Sequence, residues 1–227
     1  MTQDDHDAEV VILEILRRRF PHHAILAEES GEVGAPHGEF RWLVDPLDGT
    51  MNYAHGLSHF DVSLALVVGG QVVLGLTYAP ILDELFWAVA GAGAFVARGG
   101  GEDPLRVSDT PRLADALVTT SLPAHAGART LLHYHTRLVG RSLSQRRPGA
   151  AALDMAYVAA GRVDAMIHPD ILPWDVAAGL ALVREAGGRV TDFVGGEPSP
   201  EAGTVVASNG PIHEELLRAL HEPWADE

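Results

Sequence analysis

Apolar positions Ala8, Val11, Ile12, Ile15 and Leu16 recur at helical spacing and stop at Pro21, so an amphipathic helix is expected over residues 4–20. Short aliphatic runs at 24–27 and 40–44 read as strands, the second stopped by Asp45-Pro46. Residues 31–38 between them are rich in Gly, Pro and acid and read as a loop free to move over a site. From residue 60 the pattern becomes two-fold. Strands are expected at 61–68, 72–79, 85–90 and 94–97, separated by glycine turns such as Gly69-Gly70, which describes an antiparallel meander. Past the glycines at 99–101 the elements alternate in type: strand 117–120, helices 129–139 and 149–160, strand 163–167, helix 174–186, strands 189–191 and 205–207, and helix 212–220. An α/β (α+β) fold follows, a layered sandwich of helices and mixed sheets. One domain over residues 1–227 is expected, with an N-terminal subregion of about 1–120 and a C-terminal α/β subregion of about 121–227.

Composition narrows the class. Hydrophobic content of 47% and charged content of 21% are ordinary for a globular protein, and no apolar run is long enough to span a bilayer. The acidic start, without a basic or apolar stretch, leads to an expected cytoplasmic location. With no Cys, a metal must sit on oxygen or imidazole. A net charge of −15, with all 16 basic residues Arg, opposes binding to nucleic acid or anionic membranes. A small anionic substrate is repelled as well unless bound cations reverse the local sign.

Three acidic motifs supply candidates: Ala27-Glu28-Glu29-Ser30-Gly31, Trp42-Leu43-Val44-Asp45-Pro46-Leu47-Asp48-Gly49-Thr50-Met51-Asn52, and Pro173-Trp174-Asp175-Val176-Ala177-Ala178-Gly179. Each has an ordinary explanation: a solvated strand edge, an Asp-Pro turn, and Asp175 as the N-cap of an apolar helix. The second motif resists it best. An apolar strand delivers two carboxylates three positions apart onto a turn whose φ is fixed by Pro46. Close carboxylates are tolerable only with a cation between them or a proton retained, and such oxygen-rich sites suit Mg²⁺ or Mn²⁺. The Leu47 carbonyl between them is a further candidate ligand. Gly49 lets a phosphate approach the backbone, and the amides of Gly49 and Thr50 are candidate donors to its oxygens.

Asp-Pro-Leu-Asp-Gly-Thr with Asn52, preceded by Ala-Glu-Glu-Ser and followed by Trp-Asp-Val-Ala-Ala-Gly, resembles the inositol monophosphatase family. The likeness runs the length of the chain. It includes Thr2, Asp5 and Glu9 at the spacing of the family's early helix signal, and Gly149-Ala150-Ala151-Ala152-Leu153-Asp154. It implies the layered sandwich of that family and of fructose bisphosphatase, a small phosphate monoester as partner, and a homodimer. Glu28, Asp45 and the Leu47 carbonyl would hold one Mg²⁺, with Asp45, Asp48 and Asp175 holding a second. Glu28 would help place a weaker third, for about two or three ions per site. Glu29 has no assigned role. Asp5 and Thr50 match the pair used to orient and deprotonate the attacking water. The substrate stays open among inositol and sugar phosphates, histidinol phosphate, fructose 1,6-bisphosphate and nucleotide 3′-phosphates; a catalytically silent regulatory member is the alternative.

Two positions depart from inositol-preferring relatives. His168 stands where they carry a Glu that accepts from ring hydroxyls, and Arg147 replaces a Ser of the substrate wall. A protonated His168 together with Arg147 would favour a substrate with a second anionic group; the alternative is that Asp170 takes over the Glu's role after a local shift and Arg147 points to solvent. Relatives also carry a further helix ahead of the Thr2 signal, so a start upstream of Met1 is expected. His125, His133 and His135 lack zinc spacing, and the glycine pairs and triplets read as turns.

Overall fold

The computed structural model describes residues 2–34, 38–120, 128–199 and 203–222. Helix α1 (Gln3–Arg19) is opened by a reciprocal cap. The Thr2 hydroxyl takes the Asp5 amide, and the Asp5 carboxylate takes the Thr2 amide in return. Strands β1 (Ala24–Ala27), β2 (Gly31–Gly34) and β3 (Phe40–Asp48) follow, then a short helix α2 (Thr50–Ala54). The meander comprises β4 (Asp61–Val68), β5 (Gln71–Ala79), β6 (Glu84–Val89), β7 (Gly93–Arg98) and β8 (Gly101–Pro104). All of these strands form one eight-stranded sheet in the order β2-β1-β3-β4-β5-β6-β7-β8.

The second half contributes a 3-10 turn at Leu113–Asp115, then β9 (Leu117–Thr120), α3 (Ala128–Leu138), β10 (Ser144–Arg146) and α4 (Ala151–Ala159). After these come β11 (Ala165–Ile171), α5 (Pro173–Glu185), β12 (Arg189–Thr191), β13 (Gly203–Ser208) and α6 (His213–His221). Its five strands form a mixed sheet in the order β10-β9-β11-β13-β12.

Packing explains the layers. On β4 the buried positions alternate with half-buried ones. Ala65 and Val67 meet Ala177 and Ala178 of α5, whereas Leu64 and Leu66 turn to Leu13 and Leu16 of α1. Helices α4 and α5 lie between the sheets: Met155, Val158, Leu180 and Val183 pack with Phe86 and Ala88 on one side and with Met166, Ile171 and Val205 on the other. Leu138, Leu216 and Leu220 cover the outer face of the second sheet. The middle layer is close because its residues are small. A Cβ on Gly75 would stand 2.4 Å from the Ala178 carbonyl oxygen, and one on Gly179 2.4 Å from Met155 Sδ.

The expectations need correction at four points. Gly31–Gly34, read as loop, pairs antiparallel with β1 as an edge strand; residues 35–37 of that segment, and His125, lie outside the described residues. β3 continues past Asp45-Pro46 to Asp48. Pro46 is tolerated because the ladder with β1 has already ended at Val44, and the register with β4 shifts between Asp45 and Asp48. β8 and β10 were missed, being short edge strands with glycine or polar residues and no apolar alternation. β11 also runs beyond its expected end, to Ile171, so His168 lies in the sheet.

Candidate active site

The acids converge because strand ends and a helix start meet at one edge of the inner layer. Asp45 and Asp48 lie at the end of β3, where the register with β4 shifts between them, and their carboxylate oxygens come together. Glu28 follows β1 directly, its amide donating to the Val44 carbonyl at 3.1 Å. Asp175 comes from α5. The ordinary explanation, an N-cap, does not hold: the cap is Leu172 and Asp175 sits in the first turn behind Pro173. That place leaves its carboxylate free to face the strand ends.

One carboxylate oxygen each from Asp45, Asp48 and Asp175 lies within 4.8 Å of the others, and Glu28 is within hydrogen-bonding reach of Asp45. Burial, then the charge of Asp48, raises Asp45 well above the ordinary carboxylate range. Burial, then Asp61, does the same to Asp48. Burial lifts Asp175 to about 6, and Glu28 to about 7 with Asp175 and Glu29 adding to it. Four acids this close strongly resist ionising together. A divalent cation removes that cost, and an all-oxygen donor set fits Mg²⁺ or Mn²⁺.

Around the cluster the backbone is braced. The Leu47 amide donates to Asp45 Oδ1 at 2.9 Å, and the Ala152 amide donates to Asp48 Oδ2 at 2.7 Å. Glu9, fully buried in α1, accepts from the Glu29 amide at 2.9 Å and from the Ser30 hydroxyl, which ties the helix to the Glu28 turn. Thr50 Oγ1 lies 3.1 Å from Asp5 Oδ1 and 3.2 Å from the Leu47 carbonyl. Burial pushes the Asp5 carboxyl up, but the hydrogen bonds of Thr2 and Thr50 outweigh it and hold the group below its usual value. Gly49 adopts φ 87°, and a Cβ there would be 3.0 Å from the His59 carbonyl oxygen, so only glycine fits this turn without strain.

The remaining predicted residues lie elsewhere. Arg147 is exposed on the stretch that leads into α4. His168 is buried in β11, where its Nδ1 accepts from the Asp170 amide at 3.2 Å. Burial lowers its pKa to about 4, so the ring is neutral at ordinary pH and cannot contribute the positive charge expected of it. Sequence reasoning missed Asp61, which stands opposite Asp48 on β4. The available signal was an acid at an inward position of a strand with strict alternation.

Clustered buried carboxylates braced by backbone amides, with a hydroxyl and a low-pKa acid beside them, suit a hydrolase acting on phosphoric monoesters. The chain belongs to the inositol monophosphatase family, whose model matches residues 1–225. The solved inositol monophosphatase of Anabaena (Nostoc) sp. PCC 7120 is 44% identical with a TM-score of 0.87, over 95% of this chain and 85% of that one. The Nus factor SuhB of Escherichia coli K12 is 39% identical over 228 residues, covering 100% of this chain and 84% of its own. A solved IMPase/NADP phosphatase complexed with Mg²⁺ and phosphate is 27% identical with a TM-score of 0.86, over 99% of this chain and 83% of that one.

Proposed function

We propose that the chain hydrolyses a small phosphate monoester, of the inositol or sugar phosphate type, with Mg²⁺ as cofactor. The observation that carries this reading is the convergence of Asp45, Asp48 and Asp175 within 4.8 Å. The related phosphatase solved with Mg²⁺ and phosphate supports it. Glu28, Asp45, the Leu47 carbonyl, Asp48 and Asp175 would hold about two or three ions, in keeping with two-metal phosphatases. The ions, when bound, lower the pKa of water and neutralise charge on the leaving oxygen.

The protein's own groups do the rest. Thr50, between Asp5 and the Leu47 carbonyl, orients the attacking water, and Asp5, ionised at neutral pH, accepts its proton through the Thr50 hydroxyl. The backbone at Gly49 and Thr50 receives phosphate oxygens. Asp175 joins the N-terminal acids from a helix of the second half, which supports one catalytic domain over residues 1–227. Among the described residues no helix is long and apolar enough to cross a membrane. A cytoplasmic homodimer is proposed on the family resemblance and the acidic composition alone.

Phosphate release from a panel of inositol 1-phosphate, fructose 1,6-bisphosphate, histidinol phosphate and a nucleoside 3′,5′-bisphosphate, with and without Mg²⁺, tests the reading. Turnover of at least one ester only with Mg²⁺ is expected; no metal-dependent turnover of any would overturn it. With His168 neutral, a preference for the bisphosphates would have to come from Arg147.

A further inference from the structure

Behind the Gly49 turn, two segments far apart in the chain are joined twice. The Asn52 side-chain amide donates to the His59 carbonyl at 2.6 Å and to the Pro148 carbonyl at 2.8 Å. The second joint is the His59 ring, whose Nε2 lies 3.0 Å from Oδ1 of Asp154 in the first turn of α4. Asp154 is 0% exposed, and around it on α4 Ala151, Ala152, Leu153, Met155 and Ala156 are all buried and apolar. A carboxyl in such surroundings is costly unless it is hydrogen-bonded. Its best-placed partner is His59, with the Thr119 hydroxyl close by. The contact forms whichever of the two groups carries the proton, since neutral imidazole donates to a carboxylate and accepts from a carboxylic acid. An edge contact with Tyr157, 5.6 Å between ring centroids, holds the imidazole against α4 as well.

We propose that His59 and Asp154 are positioning residues for phosphate, a clamp that fixes the seat of the Gly49 turn against α4. The proposal rests on the reading of the Gly49 and Thr50 backbone as the receiver of phosphate oxygens. That turn packs directly on the two segments the pair joins. A Cβ on Gly49 would stand 3.0 Å from the His59 carbonyl oxygen and 3.1 Å from the Ala150 Cβ. Backbone amides have no side chain with which to adjust, so their aim at a ligand is set by what the turn rests on. With the clamp closed, His59 and the start of α4 move as one body and the turn keeps its aim before the ligand arrives, which lowers the ordering cost of binding. Neither residue belongs to the group formed by Asp45, Asp48 and Asp175, so the clamp acts through the turn and not as a cation ligand.

The test measures inorganic phosphate binding by isothermal titration calorimetry at saturating Mg²⁺, together with KM and kcat for an ester that the wild-type chain turns over. His59→Phe, which keeps the ring and its bulk, and Asp154→Leu are each expected to weaken phosphate binding and raise KM by about tenfold, within the range for residues that share one hydrogen-bond network, with a smaller change in kcat. Combined, the two substitutions should do no more than either alone, because the first already opens the clamp. Replacing both partners of a buried pair by apolar groups of similar size is often neutral for stability, so the double variant carries the test if a single variant fails to fold. Asp154→Asn, whose side-chain oxygen still accepts from His59, is expected to restore both phosphate binding and KM. Unchanged phosphate affinity in His59→Phe or in the double variant would overturn the proposal, as would penalties that add in the double variant or a fall in kcat alone. Equal weakening in Asp154→Asn would overturn it too, since the charge and not the hydrogen bond would then matter. Absence of phosphate binding by the wild-type chain with Mg²⁺ would overturn the reading of the Gly49 turn and this proposal with it.

Discussion

Thr50 Oγ1 sits 3.1 Å from Asp5 Oδ1, so a side chain just behind the strand-end acids leans on the first turn of the N-terminal helix. The contact bridges residues 45 apart in the chain. It couples the cap of α1 to the catalytic turn, since the same Asp5 also holds Thr2. Replacing Thr50 by Val keeps the shape and removes the hydroxyl, and kcat is expected to fall about 10²–10⁴-fold, the usual worth of a positioned proton acceptor. Stabilisation of the thermal melt by Mg²⁺ should be retained. A kcat near wild type would remove the pair from the mechanism.

Asp45 is buried at the centre of the acids, with its Oδ1 held by the Leu47 amide at 2.9 Å. Asp45→Asn preserves volume and removes one charge, so phosphate release should drop by well over tenfold, more than ~1.4 kcal/mol of barrier, while the fold melts cooperatively. Asp175→Asn should behave alike. Asp192→Asn is the control. Asp192 Oδ1 accepts from the Val194 and Gly196 amides at 2.9 and 2.7 Å, and the amide oxygen of Asn can do the same. Activity should therefore stay near wild type.

Without cations the stability of the protein should fall as pH rises across the neutral range. Burial raises Glu28 from 4.5 to about 7 and Asp175 from 3.8 to about 6. The folded chain therefore binds more protons than the unfolded chain between those limits, and stability present at low pH is lost as pH climbs through them. Mg²⁺ binds the ionised acids and reverses the loss. Melting with EDTA and with Mg²⁺ from pH 5.5 to 8 should show the Mg²⁺-induced gain in Tm growing with pH; a gain that is flat or shrinks with pH would contradict these shifts.

Gly75→Ala should destabilise the fold by about 1–3 kcal/mol, because overpacking a tight contact forces its neighbours apart. The added Cβ would stand 2.4 Å from the Ala178 carbonyl oxygen and 2.9 Å from its Cα, backbone atoms that no rotamer change can move. Urea denaturation measures the loss. Since Ala178 lies three residues after Asp175, a raised Mg²⁺ requirement should accompany it.

Sequence alone determined the elements with strong periodicity and the chemistry carried by contiguous motifs. The helix around Val11–Leu16 and the meander were legible because 3.6-fold and two-fold alternation are local properties. Glu28, Asp45, Asp48 and Asp175 stood out because each lies in a motif whose glycines and prolines constrain its own backbone. Tertiary structure decided what depends on partners far along the chain. β2 and β10 exist only because β1 and β9 offer them an edge, and Pro46 is tolerated because the β1 ladder has already ended at Val44. The charge of His168 was settled by burial in β11, which no composition reveals. Asp61 reads in sequence as one more acid at a strand start; the ladder that sets it against Asp48, under a helix contributed by the other half of the chain, turned a surface-looking carboxylate into a buried neighbour of the site.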